Sequence, residues 1–176
     1  LLIDIKAAFP SVAWDWLWNV LDLMCCPEWL VCAVRALYLG STAQLAAGGL
    51  RGLDICISSG IEQGCPMSGS LWCIIFDPIV RALVELVREL GCLSAFAGDI
   101  GISVGDIIRA LLVLVPILGP IEAATCLKLN WKKTCIVNFS EFSIFQLKKQ
   151  IEEAVPLALG AEICYYARYL GFLVGP

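Results

Sequence analysis

The chain has no histidine and fewer basic than acidic residues. Twelve lysines and arginines stand against sixteen aspartates and glutamates, which gives a formal net charge of −4 over 176 residues. A domain that holds nucleic acid unaided usually presents a basic surface, so this balance argues against such binding by these residues alone. With neither histidine nor a Cys-x-x-Cys pair, the chain also lacks the common zinc-site patterns, which need imidazoles or closely spaced thiolates.

The sequence contains no uncharged segment of transmembrane length. The best candidate, residues 110–121, is bounded by Asp106 and Arg109 on one side and by Glu122 on the other. A helix needs about 20 apolar residues to cross the hydrocarbon core of a bilayer, so we expect no membrane association. A small apolar membrane-associated protein is the weaker alternative, favoured only by a mean hydropathy of +0.84.

Ten cysteines are present, and apart from Cys25-Cys26 they occur singly, within apolar runs. Cysteine in such settings behaves as a small hydrophobic residue, and free thiols persist in reducing compartments. We therefore predict buried, unpaired cysteines and an intracellular location, in the cytoplasm or the nucleus.

The hydrophobic residues, 60 % of the chain, suffice for one core in a single domain. Apolar spacings of three and four residues indicate helices, and short apolar runs between glycines indicate strands. Predicted helices cover residues 13–24, 27–40 and 68–90, with further helices starting at 106 and 143. Predicted strands cover residues 1–5, 43–47, 53–58, 92–97, 100–104 and 134–139, with a strand or hairpin at 165–174. This order predicts an α+β fold with helices packed on one face of the sheet.

Three local signals add detail to this fold. Ser68 or Ser70 is expected to cap the long helix, and Pro78 to kink it. Gly98-Asp99 is expected to join two strands, with Gly98 at the first central position of a type II′ turn.

Five short blocks follow one another along the chain: Asp4-Ile-Lys-Ala-Ala-Phe9, Gln63-Gly-Cys-Pro-Met-Ser-Gly69, Phe96-Ala-Gly-Asp99, Leu129-Asn-Trp-Lys-Lys-Thr134 and Tyr169-Leu-Gly171. Together, and in this order, they resemble the palm of a reverse transcriptase of the non-LTR (LINE-type) retrotransposon kind. The resemblance implies an RNA-directed DNA polymerase, a nucleotidyltransferase with an antiparallel palm sheet. It also implies that residues 1–176 are one palm-like domain, truncated at both ends, with a helical insertion at 13–40 and without the thumb and the N-terminal part of the fingers.

The resemblance assigns metal binding to Asp4 and Asp99, which would hold Mg²⁺ or Mn²⁺ for two-metal nucleotidyl transfer. In the family the third block reads aromatic-Ala-Asp-Asp, and Gly98 replaces its first aspartate. Because side chains alternate along a strand, Asp99 is expected to point to the face opposite the missing carboxylate. We therefore expect a catalytically impaired enzyme, and the alternative is a non-catalytic remnant that folds and binds nucleic acid or protein.

The same resemblance gives roles to the remaining blocks. Phe9 would exclude a 2′ hydroxyl, and Lys133 would protonate the departing pyrophosphate as a general acid. The substrate-binding loop would consist of Gln63, Gly64, Pro66 and Ser68, and the primer-contacting hairpin of Tyr169, Leu170 and Gly171. Without the blocks, the simpler interpretations are a turn aspartate at Asp4, core aromatic rings at Phe9 and Tyr169, and a solvated strand edge at Lys133.

The partners implied by the resemblance are an RNA template, a DNA primer, deoxynucleoside triphosphates and the rest of a retrotransposon polyprotein. Fingers and thumb usually carry the basic surface that holds nucleic-acid phosphates. Their absence would account for the net charge of −4.

Overall fold

A computed structural model describes residues 1–48 and 50–176 of the chain. Its strands are β1 (Leu2–Lys6), β2 (Thr42–Ala47), β3 (Leu50–Cys56), β4 (Gly91–Phe96), β5 (Asp99–Val104), β6 (Lys128–Leu129), β7 (Cys135–Val137), β8 (Glu162–Cys164), β9 (Ala167–Tyr169) and β10 (Phe172–Val174). Its helices are α1 (Ala8–Ser11), α2 (Trp14–Leu23), α3 (Glu28–Tyr38), α4 (Ser68–Val87), α5 (Ile107–Thr125) and α6 (Ile144–Ala154), with a 3₁₀ turn at Pro156–Gly160.

The main sheet has the strand order β4-β5-β1-β7-β8, and β6 pairs with the end of β1. All of these pairings are antiparallel except that of β7 with β8. Strands β2 and β3 form one separate hairpin, and β9 and β10 form another. The predicted α+β class with a mainly antiparallel sheet is confirmed.

Helix α4 packs behind the main sheet. Its buried residues recur at helical spacing, so one apolar face lies against the core. That face meets Ile3 of β1 and Ile100 and Ile102 of β5 in a single hydrophobic cluster. The buried α4 residues are Ser68, Leu71, Trp72, Ile75, Phe76, Ile79, Leu83 and Val87.

Helices α2, α3 and α5 complete this cluster, so the residues predicted as a helical insertion belong to the main core. Asp106 caps α5 at the predicted start of the helix, accepting a hydrogen bond from the Arg109 N–H at 3.0 Å. The helix continues through Pro116 and Pro120 to Thr125. By length and composition α5 could cross a membrane, and Ala110, Leu111 and Leu114 on its inner side are buried in the domain.

Helix α6 covers a second, smaller cluster that contains Ile136 and Leu147. The predicted start at Ser143 is confirmed by a capping box, in which the Ser143 side chain accepts from the Gln146 N–H and the Gln146 side chain accepts from the Ser143 N–H. Reciprocal bonds of this kind satisfy two otherwise unpaired donors.

The prediction of buried cysteines was wrong. All ten are free as expected, but six are exposed and four are half-buried. They lie on helices, strands and loops at positions that solvent reaches at least in part, where exposing a small, weakly polar side chain costs little free energy. Other differences are local: α4 ends at Val87, before the predicted residue 90, and α1, β6 and β8 had not been predicted. The strands predicted at 43–47 and 53–58 are confirmed as β2 and β3, which pair as an antiparallel hairpin. Gly49, between them in the sequence, lies outside the described residues.

Candidate active site

Asp4 and Asp99 face each other across two neighbouring strands. In the pairing of β1 with β5, Asp4 is the direct partner of Asp99, and Ile3 is the partner of Ile100. Residues directly opposite each other in an antiparallel pair project from the same face, with Cβ atoms about 4.5–5.5 Å apart. Since Ile3 and Ile100 are buried in the core, the two carboxylates belong to the opposite, open face. This pairing places Asp4 beside the Ala97-Gly98 turn.

The expectation that Asp99 points away from this face was wrong. It applied strand alternation to residues 98 and 99, but Gly98 is not in a strand. Phe96 pairs with Asp99, which leaves Ala97 and Gly98 as the two central residues of the turn. Ala97, and not Gly98 as predicted, therefore holds the first central position of the turn. Its φ of 52° is the positive φ that a type II′ turn requires at that position.

The space at position 98 is narrow. A Cβ built on Gly98 would stand 3.2 Å from the Cβ of Ala8, which is tighter than ordinary van der Waals contact. Ala8 begins α1, the short helix that also carries Phe9. A side chain at position 98 would therefore press on the segment that holds Phe9.

The Asp4 carboxylate has a side-chain partner in Asn130, which directly follows β6. The Asn130 Nδ2 donates to Asp4 Oδ2 at 2.9 Å, and the Asn130 backbone N–H donates to the Asp4 carbonyl, also at 2.9 Å. Two bonds thus hold Asn130 to Asp4 through main chain and side chain together.

The turn that carries Lys133 is built on the same asparagine. The Asn130 carbonyl accepts hydrogen bonds from the N–H groups of Lys133 and Thr134 at 3.0 and 2.9 Å, and from Thr134 Oγ1 at 3.0 Å. Thr134 is completely buried, whereas the Lys133 side chain is exposed. Asn130 therefore links Asp4 to the lysine proposed as a general acid.

Phe9 belongs to a stack of three aromatic rings. Its centroid lies 4.6 Å from that of Trp72, and the Trp72 centroid lies 4.9 Å from that of Phe76. The Trp72 Nε1–H donates to the Ala97 carbonyl at 2.9 Å. Phe9 is half-buried against α4 and is not enclosed by the helices of residues 13–39. Trp72 thus contacts both the ring expected beside the sugar and the turn between the metal-site strands.

The predicted substrate-binding loop leads into α4. Gln63, Gly64 and Pro66 are exposed, and Gly64 has a φ of +99°, which glycine adopts without strain. Ser68 is the first residue of α4, but its prediction as a cap was wrong. Its side chain is buried and donates back to the Glu62 carbonyl, so it closes the loop instead of capping the helix.

Tyr169 lies on the open face of the sheet. Atoms of its ring would stand 3.1–3.3 Å from a Cβ built on Gly101, and its hydroxyl donates to the Ser94 carbonyl at 3.4 Å. Burial raises the pKa of the Tyr169 hydroxyl, and the negative charge of Asp99 raises it further. Leu170 and Gly171 form the turn to β10, both with positive φ. The predicted primer hairpin therefore docks beside Asp99.

Sequence reasoning did not assign roles to three residues of this site: Asn130, Trp72 and Gly101. Gly101 carried a usable signal, because an isolated glycine inside a strand often marks the close approach of another group. Asn130 stood in one of the five blocks without a role. Trp72 gave no signal beyond its place on the buried face of a helix.

The family model for reverse transcriptase (RNA-dependent DNA polymerase) matches residues 1–174. The chain therefore belongs to the reverse transcriptase family. Members of this family generally use divalent metal ions together with a nucleic acid template and nucleotide substrates.

The donor set on the open face fits such an ion in part. Two carboxylates on one face, Asp4 and Asp99, provide the oxygen ligands that hard divalent cations prefer. Within residues 1–48 and 50–176, no three His, Cys, Asp or Glu side chains come together in a group that could hold a metal ion.

Proposed function

We propose that this chain is the palm of a LINE-type reverse transcriptase, descended from an enzyme of RNA-directed DNA synthesis and catalytically impaired by Gly98. The observation that carries the proposal is the pairing of Asp4 with Asp99 beside the Ala97-Gly98 turn. It gives one open face two of the carboxylates expected for nucleotidyl transfer and a glycine where a third is expected.

Each residue block would keep its role around that face. Asp4 and Asp99 would hold divalent ions, which in two-metal transfer activate the attacking primer hydroxyl and stabilise the leaving pyrophosphate. Phe9, fixed by Trp72, would form the wall against a 2′ hydroxyl. Lys133, exposed on the turn built by Asn130, would supply the proton to the pyrophosphate.

The loop and the hairpin would position the substrates. The exposed residues Gln63, Gly64 and Pro66, in a loop closed by the buried Ser68, would contact template or nucleotide. Tyr169, Leu170 and Gly171 would contact the primer end beside Asp99. An RNA template, a DNA primer and deoxynucleoside triphosphates are the proposed partners, with fingers and thumb supplied by a longer polyprotein. The ten free cysteines fit an intracellular location, in the cytoplasm or the nucleus.

Impairment would follow from the missing carboxylate at position 98. Transition-state charge is stabilised by groups already in place, so a missing carboxylate weakens the hold on the ions that provide that stabilisation. Asp99 shares the Asp4 face, which leaves weak residual activity as an expected outcome. Complete loss would require that Asp99 not reach the ions.

The test is primer extension on an RNA template with Mg²⁺ or Mn²⁺. The chain is joined to the fingers and thumb of an active relative, and Gly98→Asp is compared with the unchanged chimera. Because Ala8 lies 3.2 Å from the new Cβ, the double variant Ala8→Gly with Gly98→Asp is included. We expect Gly98→Asp to restore synthesis and the double variant to restore it further.

A charge-matched control is Gly105→Asp, since a Cβ at Gly105 meets nothing within 4 Å. It adds the same charge away from the turn and is expected to leave synthesis unchanged. Robust extension by the unrepaired chimera would show that Asp4 and Asp99 suffice and would refute the proposed impairment. Absence of synthesis in every repaired chimera would refute the proposed active site.

The replacement at Gly98 also favours a second candidate, a folded remnant that binds nucleic acid or protein without catalysis. Its expected signature is retention of a primer–template duplex by the chimera, with no extension after Gly98→Asp. The net charge of −4 predicts that the chain alone retains no duplex at physiological salt.

A further inference from the structure

We propose that a cavity behind strand β1 is a binding site for a small neutral apolar molecule, such as a substituted benzene. The cavity has a volume of about 280 Å³ and is lined by residues of β1, β5, β6, α4 and α5. None of the residues proposed above to bind metal, substrate or primer lines it. The inference is therefore independent of the proposed function.

The floor of the cavity consists of buried apolar side chains. Ile3 of β1 and Ile100 of β5 line it on the side of the sheet, and Phe76, Ile79 and Leu83 line it on the side of α4. An apolar molecule gains free energy when it leaves water for such a surface. An ionised group would lose its hydration there without gaining a partner. The floor therefore favours an apolar ligand.

The volume of the cavity sets the size of that ligand. Protein interiors are close-packed and contain few voids larger than a water molecule, so a space of about 280 Å³ is unusual. An engineered apolar cavity of about 150 Å³ stays dry and binds benzene. A cavity nearly twice as large has room for a benzene ring with one or two small substituents.

Gly119 keeps this space open on the side of α5. Val115, Leu118, Gly119 and Glu122 line the cavity, and their spacing of three and four residues places them on one face of the helix. A Cβ built on Gly119 would meet nothing within 4 Å, so no close contact requires glycine there. Glycine inside a helix is less favourable than alanine. This position thus maintains empty volume at a cost in helix stability.

The rim of the cavity carries an ion pair. Lys128 Nζ lies 3.3 Å from Glu122 Oε1, both residues line the cavity, and both side chains reach solvent. Because each of these charges already has a partner of opposite sign, the pair favours neither a carboxylate nor an ammonium group on the ligand. The expected occupant is therefore neutral as well as apolar.

The experiment follows the Cδ1 methyl groups of the isoleucines by ¹H–¹³C NMR while the unmodified chain is titrated with para-xylene. A bound aromatic ring shifts the resonances of methyl groups beside it. We expect saturable shifts for Ile3, Ile79 and Ile100, which line the cavity, and none for Ile136 and Ile151 of the second cluster. The matched probe is para-toluate, in which an ionised carboxylate replaces one methyl group. It is expected to shift none of the five.

Variants of α5 test whether para-xylene occupies this cavity. Gly119→Leu places a side chain in the space, and leucine is the better helix former, so we expect a folded chain that no longer responds to para-xylene. Gly119→Ala should weaken binding about fourfold, the effect expected for one methyl group. The control is Ala124→Leu, at an exposed residue on the opposite face of α5 that does not line the cavity. It should leave binding unchanged.

Several results would overturn the proposal. One is the absence of saturable shifts in the unmodified chain, and another is a set of shifts that extends equally to Ile136 and Ile151. Equal binding by Gly119→Leu and the unmodified chain would place para-xylene elsewhere, and equal shifts with para-toluate would reject a neutral ligand. Circular dichroism checks that each variant is folded. If Gly119→Leu is not, Gly119→Ala decides, since unchanged affinity there rejects the cavity.

Discussion

The ring of Tyr169 lies directly on Gly101, closely enough that a Cβ at residue 101 would be 3.1 Å from the ring carbon Cζ. Gly101 is the β5 partner of Leu2 and lies two residues beyond Asp99, so both belong to the same face of the strand. The β9–β10 hairpin therefore approaches the metal-site strand where that strand has no side chain.

Gly101→Val is expected to lift the hairpin from the sheet. Overpacking of a close contact typically costs about 1–3 kcal/mol, and here the strain is relieved most easily by moving Tyr169. Hydrogen exchange of residues 167–174 should accelerate, while that of α4 should not. Gly105→Val is the control, because a Cβ at Gly105 meets nothing within 4 Å; equal exchange in the two variants would contradict the proposed contact.

Ala97→Gly is expected to stabilise the fold. Ala97 has a φ of 52°, and left-handed backbone costs an L-residue about 1–2 kcal/mol, a penalty that glycine avoids. The greater freedom of glycine in the unfolded chain offsets part of this gain, so the free energy of unfolding should rise by about 0.5–1 kcal/mol. Urea denaturation measures the change. Ala95→Gly, inside β4, should destabilise instead, and a loss of stability in Ala97→Gly would refute the turn conformation.

Trp72→Phe is expected to keep the aromatic stack and lose the bond to the turn. The smaller ring can still pack between Phe9 and Phe76, but the Ala97 carbonyl loses its indole donor. The combined loss of a hydrogen bond and of buried volume should cost about 1–3 kcal/mol of unfolding free energy. Trp18→Phe serves as the control, since the Trp18 ring meets Arg35 in a cation–π contact, and it should cost less. Equal costs would mean that the bond to Ala97 contributes nothing.

Tyr169 is expected to titrate above an ordinary tyrosine. Its pKa is raised by burial and then by Asp99, so folding favours the neutral phenol. That stabilisation is complete below the unfolded pKa of about 10 and is lost as pH rises through the higher folded pKa. Tyrosinate absorbance, as the difference between the chain and its Tyr169→Phe variant, measures the value. Asp99→Asn should lower it and Asp22→Asn should not; a pKa unaffected by Asp99→Asn would place the two groups apart.

Local signals in the sequence predicted most elements of the fold. A helix was predicted to begin at Ser143, and Ser143 and Gln146 form a capping box at that point. The extent of α4 was predicted to within three residues at its end. The start of α4 was also predicted. The hydrogen bond of the Ser68 side chain was not, because its acceptor is the carbonyl of Glu62 in the preceding loop.

The errors share a different cause, which is that they depend on contacts distant in the chain. Asp99 was assigned to the wrong face because pairing with Asp4 decides its direction, and alternation does not pass through a turn. Asn130 received no role because its bond to Asp4 spans 126 positions. The cysteines were judged by their apolar neighbours in sequence, whereas their exposure depends on which side of each element meets the core.

The 3.2 Å approach of Ala8 to position 98 bears on how this chain can evolve. A side chain at 98 would require Ala8, at the start of α1, to shift by a few tenths of an ångström. Packing at this point therefore favours glycine whenever folding alone is under selection. Reversion to aspartate would leave the stability of the fold unchanged only if residue 8 were replaced at the same time or if a bound cation offset the strain. If copying of RNA were no longer under selection, packing around position 98 would favour retention of glycine there, with no need for selection against synthesis itself.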